Sequence, residues 1–327
     1  MNYSLENKTV FICIGAQKAG TTWLHAALSN YKDIGLPHIK ELHYFDVKWL
    51  PKKFNTYEIR KLWTKQLKTI SENIADTVQN AIINNMKNIK SDETSKIFSN
   101  DFLEKYELSR RCDRVINLVN VLSIKNDKDY LTYMAKIGNN KSVVGEITPA
   151  YSMLPYEGFL NIKELLPKVK IIFIMRDPID RFVSQMKFVN KQRKTKGKDD
   201  VDIKEEHLSM LNDDKFLKRA NYQGILYKLE QIFLKENILL LFYEDLLGDS
   251  CVSNMHSVET FLNLPKKSDE EILSWKNKTY NETTDLLNID DEKQNIAENL
   301  KGIYEYIFNR FDRVPQKWID NYEKYCK

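Results

Sequence analysis

The chemistry in this chain is densest between Val10 and Asn30, where VFICIG is followed by AQKAGTTW and then an amphipathic run. Gly15 and Gly20 bracket four residues, the glycine separation of a loop that cradles phosphate. Such a loop between a strand and a helix aims backbone N–H groups at an anion on the helix N-terminus. Nucleotide triphosphatases place a Lys-Ser/Thr pair directly after the second glycine, whereas here Thr21 and Thr22 stand there. The lysine, Lys18, lies inside the loop. Its ammonium therefore opposes the outer group of a phosphate without the usual hydroxyl geometry for Mg²⁺.

Other groups of chemical use cluster in three further stretches. KELHYFD at 40–46 supplies Lys40, Glu41, His43 and Tyr44. A carboxylate held near cations can accept a proton in a transition state, and an imidazole titrates near neutrality. Alternation along an extended segment puts Glu41 and His43 on one face. GEITPAYS at 145–152 supplies Glu146 and Thr148, expected at the C-terminal edge of a sheet where open α/β folds bind ligands. KIIFIMRDPIDRFVSQ at 170–185 ends a strand on Arg176, where a triphosphatase would need an acidic Mg²⁺ partner. A guanidinium can hold phosphate with two hydrogen bonds, and the hydroxyl of Ser184 can add another.

These residues need elements to position them. Val10–Ile14 is an unbroken, mostly β-branched run and reads as a buried parallel strand, with Leu24, Ala27, Leu28 and Tyr31 following at helical spacing. Asp33–Asp46 reads as a short extended segment with a turn at Gly35-Leu36-Pro37. Lys141–Ile147, Val169–Met175 and Ile238–Tyr243 read as further strands. Asp177 is a good N-cap and Pro178 a good first residue for the helix after Met175. Tyr222–Phe233 and Val258–Leu264 read as helices, a polar loop after Lys276–Tyr280 leads to Leu300–Phe311, and the basic run Lys187–Lys198 reads as a solvated face. The spacing predicts an α/β fold, a P-loop-like parallel sheet flanked by helices. From Lys52 to Ile137 there is no glycine or proline. Apolar residues from Ile59 to Ile89 recur every three or four positions there, with Phe102–Tyr106 and Val115–Ile124 as further helical pieces. Residues 55–128 are expected to form a helical insertion within a single domain spanning 1–327.

The chain of 327 residues carries 29% charged residues and a net charge of +4. That is too mild to indicate nucleic acid, but it suits anionic ligands. The first ten residues lead directly into a strand, with no apolar run long enough to span a membrane. Cys13, Cys112, Cys251 and Cys326 lack metal-ligand spacing and read as reduced thiols, so the expected location is cytoplasmic.

On the strength of GAQKAGTTWL, KELHYFD, GEITPAYS and KIIFIMRDPIDRFVSQ, the sequence resembles sulfotransferases that use 3′-phosphoadenosine 5′-phosphosulfate (PAPS). The motif pattern is closer to the heparan-sulfate/carbohydrate branch than to the small cytosolic phenol branch. The resemblance implies transfer of a sulfuryl group from PAPS to a hydroxyl or amine, leaving adenosine 3′,5′-bisphosphate and needing no metal. It puts the general base on Glu41 and stabilisation of the leaving phosphate on Lys18. Lys18, Ala19, Gly20, Thr21 and Thr22 would hold the 5′-phosphosulfate, and Arg176 and Ser184 the 3′-phosphate. Lys276 and Lys278 fall where the family closes its cofactor pocket with a basic loop. His43, Glu146 and Thr148 would border the acceptor. The expected acceptor is a carbohydrate, with a small secondary metabolite as the alternative. A P-loop kinase and a non-catalytic nucleotide- or polysaccharide-binding module are the rivals from other classes.

Overall fold

β1, Thr9–Gly15, is the central strand of a five-stranded parallel sheet in the order β2-β3-β1-β4-β5. Its neighbours are β3 (Val143–Ile147) and β4 (Lys170–Met175), with β2 (Ile34–Gly35) and β5 (Ile238–Phe242) at the edges. Phe11, Ile12, Cys13 and Ile14 are fully buried, as an apolar run covered on both faces requires. The computed structural model describes residues 4–54, 60–74, 112–276 and 292–327.

Local chemistry explains how the strands sit. Phe11 lies opposite Gly145 in the register. A Cβ at Gly145 would come within 2.2 Å of the Phe11 ring, so the aromatic ring takes the space that any side chain there would fill. Between Cys13 and Gly15 the pairing of β1 with β4 shifts register. That irregularity ends the strand and releases the chain into the glycine loop.

The order places β1 between two strands reached by crossovers in opposite directions. This is the switch point where open α/β sheets form a crevice at the strand C-termini. Four elements open from that edge. They are α1 (Thr21–Leu28) after β1, a 3-10 turn (Pro149–Met153) after β3, α7 (Pro178–Thr195) after β4, and α11 (Tyr243–Leu247) after β5.

Between β2 and β3 lie α2 (Tyr44–Trp49), helical residues 60–74 (α3) and 112–122 (α4), and α5 (Asp127–Ile137). The sheet is flanked further by α6 (Tyr156–Leu165), α8 (Ile203–Leu211), α9 (Asp214–Ala220) and α10 (Tyr222–Ile232). The chain ends with α12 (Cys251–Leu262), α13 (Asp269–Lys276), α14 (Lys293–Arg310) and α15 (Gln316–Tyr325).

Several boundaries differ from those expected. Only Ile34 and Gly35 pair as a strand, and Tyr44–Trp49 is helical rather than extended. The basic run from Lys187 belongs to the end of α7, which continues through Thr195, and from Lys191 onward it is mostly exposed. Asp177 caps α7 by accepting from Asp180 N, as expected, and Asp202 and Asn221 cap α8 and α10 in the same way.

The chain divides into two compact units, residues 1–55 with 134–327, and residues 56–133. Within the second unit, Arg60 donates to the carbonyls of Val121 and Ile124, at 3.0 and 3.2 Å. This ties 60–74 to the end of 112–122. The expected helical pieces beyond residue 74 and at Phe102–Tyr106 lie outside the described residues.

Candidate active site

The glycine loop leads into α1 with Gly20 as its N-cap, at φ 78°. A Cβ at Gly20 would lie 2.8 Å from the ring of Tyr243, so only glycine lets the loop sit on that ring. Lys18 also adopts a left-handed conformation, at φ 70°. Ala19 is fully buried and Thr21 nearly so, while Thr22 keeps part of its surface open. The first-turn amides of α1 have no helical acceptors and point to the loop side. The Lys18 ammonium lies 4.5 Å from the centroid of the Phe188 ring on α7. Burial, with the charges of Arg176 and Lys191, lowers its pKa to about 8.

Arg176, at the end of β4, is tied to the same loop. Its Nη1 donates to the Lys18 carbonyl at 2.8 Å, and its guanidinium stacks 4.3 Å from the centroid of Tyr243. Asp177 is instead occupied by Tyr304, Asn321 and the Asp180 amide. The buried Nε of Arg176 has no acceptor among the described residues. A buried guanidinium nitrogen of this kind is suited to an incoming anion. Ser184 lies half-buried on α7, eight positions on.

A continuous chain of polar contacts runs from the loop to the segment before α2. Lys40 Nζ donates to Thr22 Oγ1 and to Glu41 Oε1, both at 3.0 Å. Glu41 Oε2 lies 3.4 Å from His43 Nε2, and His43 Nδ1 lies 3.2 Å from Asp46 Oδ2. Glu41 and His43 both have positive φ, at 68° and 52°. For residues with a full side chain this is a strained choice, held here by surrounding contacts. Burial favours a neutral Glu41, but the hydrogen bond from His43 and the charge of Lys40 outweigh it and lower its pKa to about 2. Burial likewise opposes charge on His43, yet Asp46 and Glu41 together raise it to about 9. At neutral pH an ionised Glu41 thus faces a protonated His43, whose other ring nitrogen lies against Asp46. Alternation along a strand was the wrong basis for pairing Glu41 with His43. They meet because two left-handed residues fold the segment back.

Glu146 and Thr148 are fully buried rather than lining a rim. Thr148 Oγ1 donates to Glu146 at 2.8 Å, and the Tyr151 hydroxyl lies 3.2 Å from the same carboxylate. Tyr151 in turn accepts from the amides of Tyr44 and Phe45, at 3.0 and 3.4 Å, at the start of α2. Glu146 thus braces the segment that carries Glu41 and His43. Lys276 ends α13 in an ion pair with Asp249 at 3.5 Å, and Lys278 lies outside the described residues. The Trp23 indole donates to the Trp275 carbonyl at 3.1 Å, which fixes α13 to α1.

Several site residues escaped the sequence-based expectations. Asp46 is fully buried and orients His43, and its spacing three residues after the histidine was the available signal. Tyr243 underlies both Gly20 and Arg176, and its position at a strand end was its signal. Phe188 needed the course of α7 to be known.

A family model described as "Sulfotransferase family" matches residues 10–269. No curated protein matches the sequence. Among solved structures, a sulfotransferase from Alicyclobacillus acidocaldarius is 16% identical with a TM-score of 0.55, the alignment covering 95% of this chain and 98% of that one. A sulfotransferase from Mycobacterium avium is 13% identical with a TM-score of 0.48, covering 94% of this chain and 78% of that one. The first of these likenesses bears on the fold, a parallel α/β sheet flanked by helices. The family match takes in β1 from Val10 onward, the other four strands, the glycine loop, Glu41 and Arg176, and on it the chain belongs to the sulfotransferase family.

Proposed function

We propose that this sulfotransferase uses PAPS as donor and passes the sulfuryl group to a hydroxyl or amine, with a carbohydrate as the acceptor class. The observation that supports it best is the unbroken run of contacts from the Lys18 loop through Thr22 and Lys40 to Glu41, with Arg176 fastened to the carbonyl of Lys18. The family generally uses PAPS, and the residues fit it. The open first-turn amides suit a phosphosulfate, and the unpartnered Arg176 Nε suits a phosphate. When bound, PAPS supplies the activated sulfuryl group.

The protein's own residues divide the remaining work. The amides of Lys18, Gly20, Thr21 and Thr22 receive the 5′ end, while that of Ala19 donates to the Ala16 carbonyl at 3.2 Å and holds the loop's shape beneath it. Lys18 opposes the negative charge that builds on the bridging oxygen, an interaction strongest in the transition state. Thr22 accepts from Lys40, so its own O–H is left to donate toward the donor, and Thr21 assists. Arg176 and Ser184 hold the 3′-phosphate, with Lys276 and Lys278 as further cations toward it.

Glu41 takes the acceptor proton. A carboxylate with so low a pKa is a weak base toward an alcohol at rest. It becomes adequate as the nucleophile bonds to sulfur and its proton grows acidic, so proton transfer accompanies bond formation. His43 and Asp46 keep Glu41 aimed and ionised, with His43, Glu146 and Thr148 on the acceptor side. All four cysteines are unpaired, which suits a reducing compartment such as the cytoplasm.

Radiolabelled PAPS with a panel of sugars, amino sugars and small phenols tests the whole assignment. Glu41→Gln and Lys18→Ala should lower transfer about 10²-fold or more, while calorimetric affinity for adenosine 3′,5′-bisphosphate falls less than about tenfold. Arg176→Ala should chiefly weaken bisphosphate binding. Bisphosphate binding with no transfer to any acceptor would favour a non-catalytic module, and normal turnover in Glu41→Gln would move the base to His43.

A further inference from the structure

Two arginines, on α7 and α9, carry buried guanidinium nitrogens with no acceptor among the described residues. Arg181, one turn into α7, is fully buried, and its Nε, Nη1 and Nη2 all lack acceptors among the described residues. Its guanidinium stacks 4.5 Å from the centroid of Phe216 on α9. Arg219, on the same α9, is 9% exposed, and its buried Nε also has no acceptor. The buried Oε1 of Gln185, one turn after Arg181, is unpartnered as well. Rotation of that amide would present its NH₂ in place of its oxygen.

Position relates this cluster to the transfer site. Arg181, Ser184, Gln185 and Phe188 share a face of α7 by their three- and four-residue spacing, and Phe188 carries the Lys18 ammonium. Arg181 feels the charge of Arg176, and Arg219 feels Arg181, Asp213, Glu41 and Asp46. In the fold, α9 packs on the 3-10 turn whose Tyr151 accepts from the amides of Tyr44 and Phe45, just after His43, while Arg181 lies on α7 one turn beyond Arg176. Burying a guanidinium with every nitrogen unsatisfied is costly, and buried charges are ordinarily paired. Lys18, Arg176 and the α1 amides already answer the charges of a bisphosphate nucleotide. The two further cations are surplus to it.

We propose that Arg181 and Arg219 form a binding site for an oxyanion (a carboxylate, sulfate or phosphate) beside the acceptor's nucleophile, entered at Arg219. This rests on the assignment of Glu41 to the acceptor side. The enzyme then selects acceptors that already carry negative charge near the group to be sulfated. A planar guanidinium matches a carboxylate or sulfate edge with paired N–H donors, and the stacked Phe216 ring keeps that plane fixed.

The test titrates the full-length protein, first with adenosine 3′,5′-bisphosphate and then, once saturated, with sodium sulfate. Saturable sulfate binding is expected, weakened about tenfold in Arg219→Gln and largely restored in Arg219→Lys. Lys18→Ala should leave this sulfate affinity unchanged, which separates the site from the sulfuryl position. Bisphosphate affinity should stay within about twofold in Arg219→Gln.

Comparing 4-nitrophenyl β-glucuronide with the matching glucoside then identifies the source. A preference for the glucuronide that vanishes in Arg219→Gln assigns the oxyanion to the acceptor, whereas sulfate binding with no such preference assigns the pocket to a free ion. Absence of sulfate binding, sulfate affinity unchanged in Arg219→Gln, or bisphosphate affinity lost in that variant overturns the proposal. Failure of the wild-type protein to bind bisphosphate at all is a separate result, and would fall on the PAPS assignment. Arg219 is the site of choice because Arg181→Gln removes a fully buried side chain, and circular dichroism melting checks that each Arg219 variant folds.

Discussion

His43 shows most directly how burial and charge compete at a single residue. Its ring lies between Glu41 and Asp46, and the two carboxylates raise its pKa from an ordinary 6.5 to about 9. The folded state therefore holds the proton more tightly than the unfolded chain. That contribution is fully present below about pH 6.5 and is lost as pH rises through about 9. Denaturant titrations should show wild-type stability falling by on the order of 2 kcal/mol between pH 6.5 and 9.5. In His43→Ala this part of the dependence should be absent. A wild-type profile flat over that interval would mean that the imidazole is neutral throughout. At this scale the types of residue were legible in the sequence but their contacts were not. Glu41 and His43 could be named from KELHYFD, yet their meeting depends on two left-handed φ values that no spacing rule encodes. Nothing local in the sequence around Arg181 says that its guanidinium lacks acceptors.

At the scale of the element, α7 carries much of the site and depends on its cap. Asp177 accepts from Asp180 N, Tyr304 Oη and Asn321 Nδ2. Burial, followed by the nearby charge of Asp180, raises its carboxyl to about 7 despite those hydrogen bonds. The folded state here too prefers the proton, so the contribution is present below about pH 4 and is lost as pH rises through 7. Asparagine caps helices about as well as aspartate and carries no charge. Asp177→Asn should match or exceed wild-type stability at pH 8 and lose the decline between pH 4 and 7. Asp177→Ala should cost about 1–2 kcal/mol at either pH, by loss of the cap. Thermal melts at pH 5 and 8 decide this, and an Asn variant that is much weaker at pH 8 would show that the ionised form is required. The cap itself was legible, since Asp-Pro after an apolar strand is a strong start signal. The tyrosine and asparagine that hold it come from more than 120 positions away in the chain.

Across the whole molecule, the C-terminal helices brace the strand ends from behind. Trp318 is fully buried against Tyr222, Phe242 and Tyr304, and its indole donates to Glu244 at 2.9 Å. Glu244 accepts in turn from the amide of Asp177. Trp318→Ala should cost about 3–5 kcal/mol and lower the melting temperature, and bisphosphate affinity should fall with it although residue 318 is remote from the glycine loop in sequence. Unchanged affinity in a folded variant would detach the brace from the site. The parallel sheet was legible at this scale, because β1, β4 and β5 are apolar runs and β3 opens on two valines. The edge strand of two residues and the final helix were not, since α15 is polar except for the few residues that meet α14. One contact carries a consequence for ligand choice. Because Arg176 is pinned to the carbonyl of Lys18, the two jaws that would close on a nucleotide's opposite phosphates form one rigid gauge. On the proposed assignment, moving a phosphate to the neighbouring ribose oxygen alters the span between the charges, and calorimetry should find such an isomer bound more weakly whatever its base.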